Sequence, residues 1–491
     1  MSLSTRLSAV AALAGLGLSL SVGLGAPAAL ADTTAPVAQY RGAQLHLMWG
    51  ENTATDITRQ LDMLAATGSD SGRLDVAWSS LQDSGPGTFA NWYVTKLDSV
   101  VNGASARGIK LILTLLETPC WASSAPDTLK QSCSGAYWDR GVTHYPPTNP
   151  ADYATAARFL AQRYGSQIAA LEVWNEPNWN NGTTTPNLVS ADMPGAYVAM
   201  LKPAYAAVKA VAPDLPVLAA AMSFSDVPFL QALYARGARG SYDGISVHPY
   251  NEWRPVGAPH DPAWAKYDFV QGLTALHTAM LNAGDTTPVW ITEMGWTSCA
   301  TAGGTDRWCV TEQQQADYIP GAFTLAATWP WVRSLIVYNL RSKSGAATDT
   351  EANFGLVNHD YSVKPALASF TTVVTSLRTA ATTPVPVTTT TTTDPAPVVT
   401  STTTTVTSGK PRRGGRLRLT SNHRRLVARL SAARLHHQHQ SAAVHPTRHL
   451  ATASRAARTI HPRLEVAARH HVSHPSVLRT RSALAIARRA V

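Results

Sequence analysis

Residues 151–178 read ADYATAARFLAQRYGSQIAALEVWNEPN, and this stretch decides the fold. A helical segment, Ala151–Tyr164, passes through a short break into an apolar run, Ala169–Trp174. That run is short and nearly continuous, as a parallel strand covered on both faces should be. The same unit recurs in both directions. Upstream, strands are predicted at Ala43–Trp49, Ser71–Trp78 and Lys110–Leu116, with helices near Asp56–Ala66 and Val94–Arg107. Downstream, strands at Val217–Met222, Gly244–Pro249, Val289–Glu293 and Leu335–Leu340 alternate with helices. Those helices are Tyr197–Val211, a short one after Met222, Asp268–Ala283 and Glu312–Thr328, and Lys364–Leu377 closes the series. Eight such alternations predict an α/β protein of the (β/α)8 (TIM) barrel class. An open doubly wound sheet that bound a nucleotide would need a Gly-rich phosphate turn after its first strand. None is present.

The ends of the chain read differently. Residues 1–31 have the form of a signal peptide: Arg6, an apolar run from Leu7 to Leu24, then Ala29-Leu30-Ala31 as a small-residue cleavage site. The Gly and Ser content of the run and the cleavage site argue against an uncleaved anchor, and no other segment is apolar enough to span a bilayer. The barrel is expected over 32–381. A Thr/Pro-rich linker is expected over 382–408 and a disordered basic tail over 409–491. From Lys410 onward there are 18 Lys and Arg against one acid, Glu465. Residues 1–409 hold 23 bases and 30 acids, so the chain's net charge of +10 belongs to the tail. With no aromatic residue, the tail does not read as a nucleic-acid binder. It would suit adhesion to an anionic wall polymer, or it has no selected role. Its clustered His436, His437 and His439 fit compositional bias better than a metal site. The expected product is a secreted monomer with no membrane span once the leader is cut.

Four cysteines fall into two local pairs, Cys120 with Cys133 and Cys299 with Cys309, each in a Ser/Thr/Gly-rich stretch. Export makes two disulfides the economical assignment. A zinc site is the competitor, but the spacing lacks a Cys-x2-Cys knuckle and no His lies close in sequence.

Barrel enzymes carry their chemistry at the C-terminal ends of strands. Two acids stand at such ends: Glu176, after strand four in Leu171-Glu172-Val173-Trp174-Asn175-Glu176-Pro177-Asn178, and Glu293, in Val289-Trp290-Ile291-Thr292-Glu293-Met294-Gly295-Trp296. Cleaving a β-glycosidic bond with retention requires two carboxyls about 5–5.5 Å apart. Glu172, deeper in its strand, reads as a paired interior charge, and Glu117, after strand three, as a lesser candidate at the mouth. Trp49, Trp121, Trp179, Trp253 and Trp296 all follow strands, where flat rings would stack on sugars.

On these motifs, residues 40–375 resemble clan A glycoside hydrolases, families 5 and 39 above all. The resemblance implies Glu176 as acid/base and Glu293 as nucleophile, with no metal or organic cofactor. It further implies Asn175 on the sugar 2-hydroxyl and Arg73, at the end of strand two, holding the nucleophile ionised. His248 and Tyr250, in Ser246-Val247-His248-Pro249-Tyr250, match the positions beside the nucleophile. At strand eight, where many relatives carry a Trp, this chain has Val337-Tyr338-Asn339, which makes Tyr338 the candidate floor of the subsite. The implied substrate is a poly- or oligosaccharide. Transglycosylation on the same residues and a catalytically silent carbohydrate-binding wall protein are the alternatives.

Overall fold

The computed structural model describes residues 39–382, apart from 181, 183, 184, 259 and 301–307. Eight strands close into one parallel barrel: β1 (Tyr40–Leu45), β2 (Ser71–Ala77), β3 (Lys110–Leu116), β4 (Ile168–Val173), β5 (Val217–Ser223), β6 (Gly244–His248), β7 (Val289–Met294) and β8 (Val332–Val337). Each strand pairs with its sequence neighbours, and β8 returns to β1 with Ser334 opposite Tyr40. The main helices are α1 (Ala54–Ala66), α2 (Asn91–Ser105), α3 (Pro150–Tyr164), α4 (Met193–Lys209), α5 (Val227–Ala235), α6 (Phe269–Asn282), α7 (Glu312–Ala326) and α8 (Pro365–Thr382). This is the (β/α)8 barrel that the alternation predicts. Strands one and eight begin three residues earlier than their apolar runs, at Tyr40 and Val332. Arg41 and Arg333 interrupt those runs, but ladder pairing uses only backbone groups. The expected signal segment 1–31 and basic tail 409–491 lie outside the described residues, as does the linker 382–408 beyond Thr382.

Side chains divide by the pleat. In β6, Ile245 and Val247 pack against the helices, while Ser246 and His248 turn inward toward Glu172 and Glu176. The barrel floor is apolar, built from Ile112, Ala170, Leu218, Trp290 and Ile336, with Tyr40 stacked on Trp290 at 5.6 Å. Gly244 is needed beside this floor, because a Cβ there would come within 2.6 Å of the Trp290 ring. Above it lies a buried polar layer of Gln44, Arg73, Thr114, Glu172 and Ser246.

One irregularity matters for the site. Between the pairs Ile291–Leu335 and Met294–Val337, β7 carries one residue more than β8. Ile291 and Met294 both face the helix layer. The bulge between them therefore turns Glu293 into the barrel, where strict alternation would have pointed it at the helices.

Both expected disulfides form, Cys120–Cys133 and Cys299–Cys309, with Cα atoms 5.6 and 5.3 Å apart. They close loops after β3 and after β7, on the side of the barrel where strands end. Closing loops of this length contributes about 2–3 kcal/mol each. Full reduction is therefore expected to lower the melting temperature by several degrees. An unchanged melting curve after quantitative reduction would show that neither loop is stapled to any effect. Among the described residues, no helix is long and apolar enough to cross a membrane.

Candidate active site

Glu176 lies three residues beyond the end of β4, and the backbone gets it there through left-handed conformations at Trp174 (φ 66°) and Glu176 (φ 44°). Non-glycine residues adopt these only where the surroundings enforce them, which is common at functional sites. Glu293 reaches the same space from the β7 bulge. The two side chains are nearly sealed, with the residues 3% and 8% exposed. One carboxylate oxygen of each lies within 4.8 Å of the other and of His248 Nδ1.

Each acid has its own partners. Glu293 accepts from Arg73 Nη1 at 2.6 Å and from the Tyr250 hydroxyl at 2.8 Å. Glu176 lies 2.9 Å from His248 Nδ1, and Asn187 Nδ2 is 3.5 Å from its other oxygen. His248 Nδ1 is also 3.7 Å from Glu293, so the imidazole sits between the two carboxyls. Asn187 gives no sequence signal, since it lies in a polar loop that folds back onto the acid. Glu176, His248 and Glu293 have the spacing to hold a cation, which would occupy the same space as a sugar.

Arg73 requires a correction. It is the third residue of β2 rather than its end, and it is fully buried, so it is not placed to touch a substrate. It instead joins the polar layer to the site above. Its guanidinium donates to Glu293, to Glu172 at 2.7 Å and to Asn175 Oδ1 at 2.8 Å, with Gln44 at 3.2 Å. Fixing Asn175 through its oxygen leaves the Asn175 amide N–H groups as the donors for a ligand. Glu172 is the paired interior charge that its depth suggests, held also by Thr114 at 2.7 Å. Burial works to raise its pKa, but Arg73, His248 and the hydrogen bonds from Ser246 and Thr114 together outweigh burial and leave the carboxyl below its ordinary range.

The two site carboxyls are not equivalent. Burial raises the Glu176 carboxyl above the ordinary range, and the negative charge of Glu293 adds to this while His248 opposes it. Burial alone would lower the His248 imidazole, but Glu293 and Glu176 reverse the direction and raise it. Burial and Glu293 hold Tyr250 well above its ordinary value, so its hydroxyl remains a donor. Glu117, also in a left-handed conformation, is pushed up to about 7 by burial, against the hydrogen bond from Ser79 at 2.9 Å.

The aromatic residues sort unevenly. Tyr338, 5% exposed, stands edge-on to His46 and Phe354, and Trp49 stacks on His46 at 4.1 Å. Trp179 packs in the same aromatic cluster as Tyr250 and Tyr338. Trp296 turns away from this role. It is 1% exposed, lies against Tyr318 and donates its indole N–H to Arg254 O, so its ring has no face for a sugar. Trp121 is likewise tied by its N–H to Gln82 O. Among the described residues the most open Trp rings are three that the sequence reading passes over: Trp92 at the start of α2, Trp138 after β3 and Trp264 after β6, at 59%, 40% and 49% exposure.

An eight-stranded barrel with this carboxyl pair in its mouth has the arrangement that a two-carboxyl reaction at a sugar's anomeric carbon requires. Residues 30–331 match the family described as Cellulase (glycosyl hydrolase family 5), and the chain belongs to that family. Among solved structures it is similar to a family 39 glycoside hydrolase from the gut symbiont Bacteroides cellulosilyticus WH2 (19% identity, TM-score 0.51, 70% of this chain and 64% of that one). The chain thus spans less than two thirds of that enzyme. It is similar to GH5_18 from Streptomyces cattleya in complex with GlcNAc (19% identity, TM-score 0.51, 72% and 82% of the two chains). At such identities the likeness carries the fold. No curated protein matches the chain in sequence.

Proposed function

We propose that this chain is an exported β-glycoside hydrolase that works by double displacement with retention, acting on a poly- or oligosaccharide. The observation that carries the reading is the approach of Glu176 and Glu293 oxygens to within 4.8 Å. Inverting enzymes hold their carboxyls about 6.5–9.5 Å apart to admit a water, whereas retaining ones keep them close. Glu293, fixed by Arg73 and Tyr250, attacks the anomeric carbon. Glu176, which burial favours in its protonated form, gives its proton to the leaving oxygen and later takes one from water. Asn175 supports the sugar 2-hydroxyl from the β4 side. Export is supported by the two disulfides and by the leader-like residues 1–31. The exposed Trp138 and Trp264 suit a chain that extends beyond one sugar.

The test is proton NMR of the anomeric signal during hydrolysis of 4-nitrophenyl β-glycosides. The β-anomer should appear first and mutarotate later; first release of the α-anomer would rule out double displacement.

The pH profile of kcat/KM should be bell-shaped, with the basic limb set by loss of the Glu176 proton. His248 holds the Glu176 carboxyl down, so removing the imidazole lets it rise further. His248→Asn should move the basic limb to higher pH. It should also lower kcat about 10- to 100-fold, the size of one lost charge-assisted hydrogen bond. A basic limb that stays in place would assign that limb to another group.

A further inference from the structure

The groups described so far serve the anomeric carbon and leave one buried cation at the barrel mouth without a role. Lys343 follows β8, and its side chain is only 11% exposed. Its ammonium lies 5.3 Å from the centre of the Tyr338 ring and 5.5 Å from that of Trp49. The Tyr338 hydroxyl hydrogen-bonds to it, and the Glu351 carboxylate stands 3.5 Å away, longer than a tight charged pair. Burial works against the charge, but Tyr338, Glu351 and the more distant Glu293 outweigh it and keep Lys343 protonated. An ammonium has three donors, and these contacts use two. Beside it, Asn339 is completely buried, bonds His46 Nε2 at 3.1 Å through its amide, and has no partner for Oδ1. His46 Nδ1 also has no partner.

Position in the barrel says what this corner would meet. In a closed ring of eight strands, β8 lies opposite β4. In a pyranose ring, C5 lies opposite C2. If Asn175, after β4, holds the 2-hydroxyl, the substituent on C5 points across the site to the loop after β8. A neutral hydroxymethyl group there would leave the buried ammonium with only the long Glu351 contact to balance its charge, whereas a carboxylate would pair it directly.

We infer that the sugar whose bond is cleaved is a uronosyl residue, with Lys343 as the specificity-determining cation for its C5 carboxylate. The inference rests on the retaining glycosidase reading and on the placement of Asn175 within it.

The test compares kcat/KM on matched 4-nitrophenyl pairs, β-D-glucuronide with β-D-glucoside and β-D-galacturonide with β-D-galactoside, using the full chain. In at least one pair the uronide should be favoured tenfold or more. Lys343→Met should cut that ratio at least tenfold, mainly through KM, and Lys343→Arg should restore most of it. Glu351→Gln, which removes a competing carboxylate and leaves the lysine in place, should lower KM for the uronide. Hexosides cleaved as well as uronides, or a ratio indifferent to Lys343→Met, would overturn the inference and leave the hydrolase reading standing. No turnover of any pair by the wild-type chain would count against both.

Discussion

Replacing Glu293 with alanine is expected to lower kcat/KM on an aryl β-glycoside on the order of 10⁴-fold or more, because no group remains to form the glycosyl-enzyme bond. Sodium azide should then separate the two acids. In Glu293→Ala the small anion fits the space left by the carboxylate and attacks the anomeric carbon from that side. The new C–N bond forms as the aryl oxide departs with the Glu176 proton, and the product is the inverted α-glycosyl azide. In Glu176→Ala the nucleophile is intact and an activated dinitrophenyl leaving group still departs unaided, so the intermediate forms. Azide then replaces water in the second step and yields the β-glycosyl azide. Two products of opposite configuration assign the roles. The same configuration from both variants, or azide rescue of neither, would reverse or remove the assignment.

Arg73→Met should damage both fold and site. Its guanidinium is fully buried between Glu172 and Glu293, and its loss leaves Glu172 charged in the interior. Breaking a buried pair on one side costs about 3–5 kcal/mol. The sign of the pH dependence follows. In the wild type Glu172 lies below its ordinary range, so its stabilising contribution is present above that range and is lost as pH falls through the lowered value. Without Arg73, burial raises the carboxyl, and the variant loses stability as pH climbs through the ordinary carboxyl range. The gap between wild type and variant should be widest at pH 7 and narrow toward pH 4, as read by urea unfolding. Adding Glu172→Gln should recover much of the stability but not the activity, since Glu293 still lacks its partner. A gap independent of pH would mean that Glu172 is not the group left stranded.

The barrel and the acid pair are legible in the sequence because both are written in strand ends. Val289–Thr292 runs directly into Glu293, and Ala169–Trp174 is followed one residue later by Glu176; an acid at the end of such a run falls at the mouth, while Glu172 within the run is the paired interior charge. Depth is less legible. Nothing in Ser71–Ala77 says that Arg73 lies one layer below the site rather than at its edge, because alternation gives the face and not the level. Trp296 shows a similar limit: a ring after a strand can turn toward the sugar or toward the helices, and Tyr318 and Arg254 O decide for the helices. Lys343 stands in Arg341–Thr350, a polar loop with no periodicity, and only the fold brings it beneath Tyr338 and Trp49.

The extra residue in β7 has a consequence for descent as well as for shape. A β7 of the same length that paired with β8 without the bulge would keep every acid in the chain but send Glu293 out among the helices, away from Tyr250. Descent can therefore silence such a site through strand register alone, with the whole set of side chains retained.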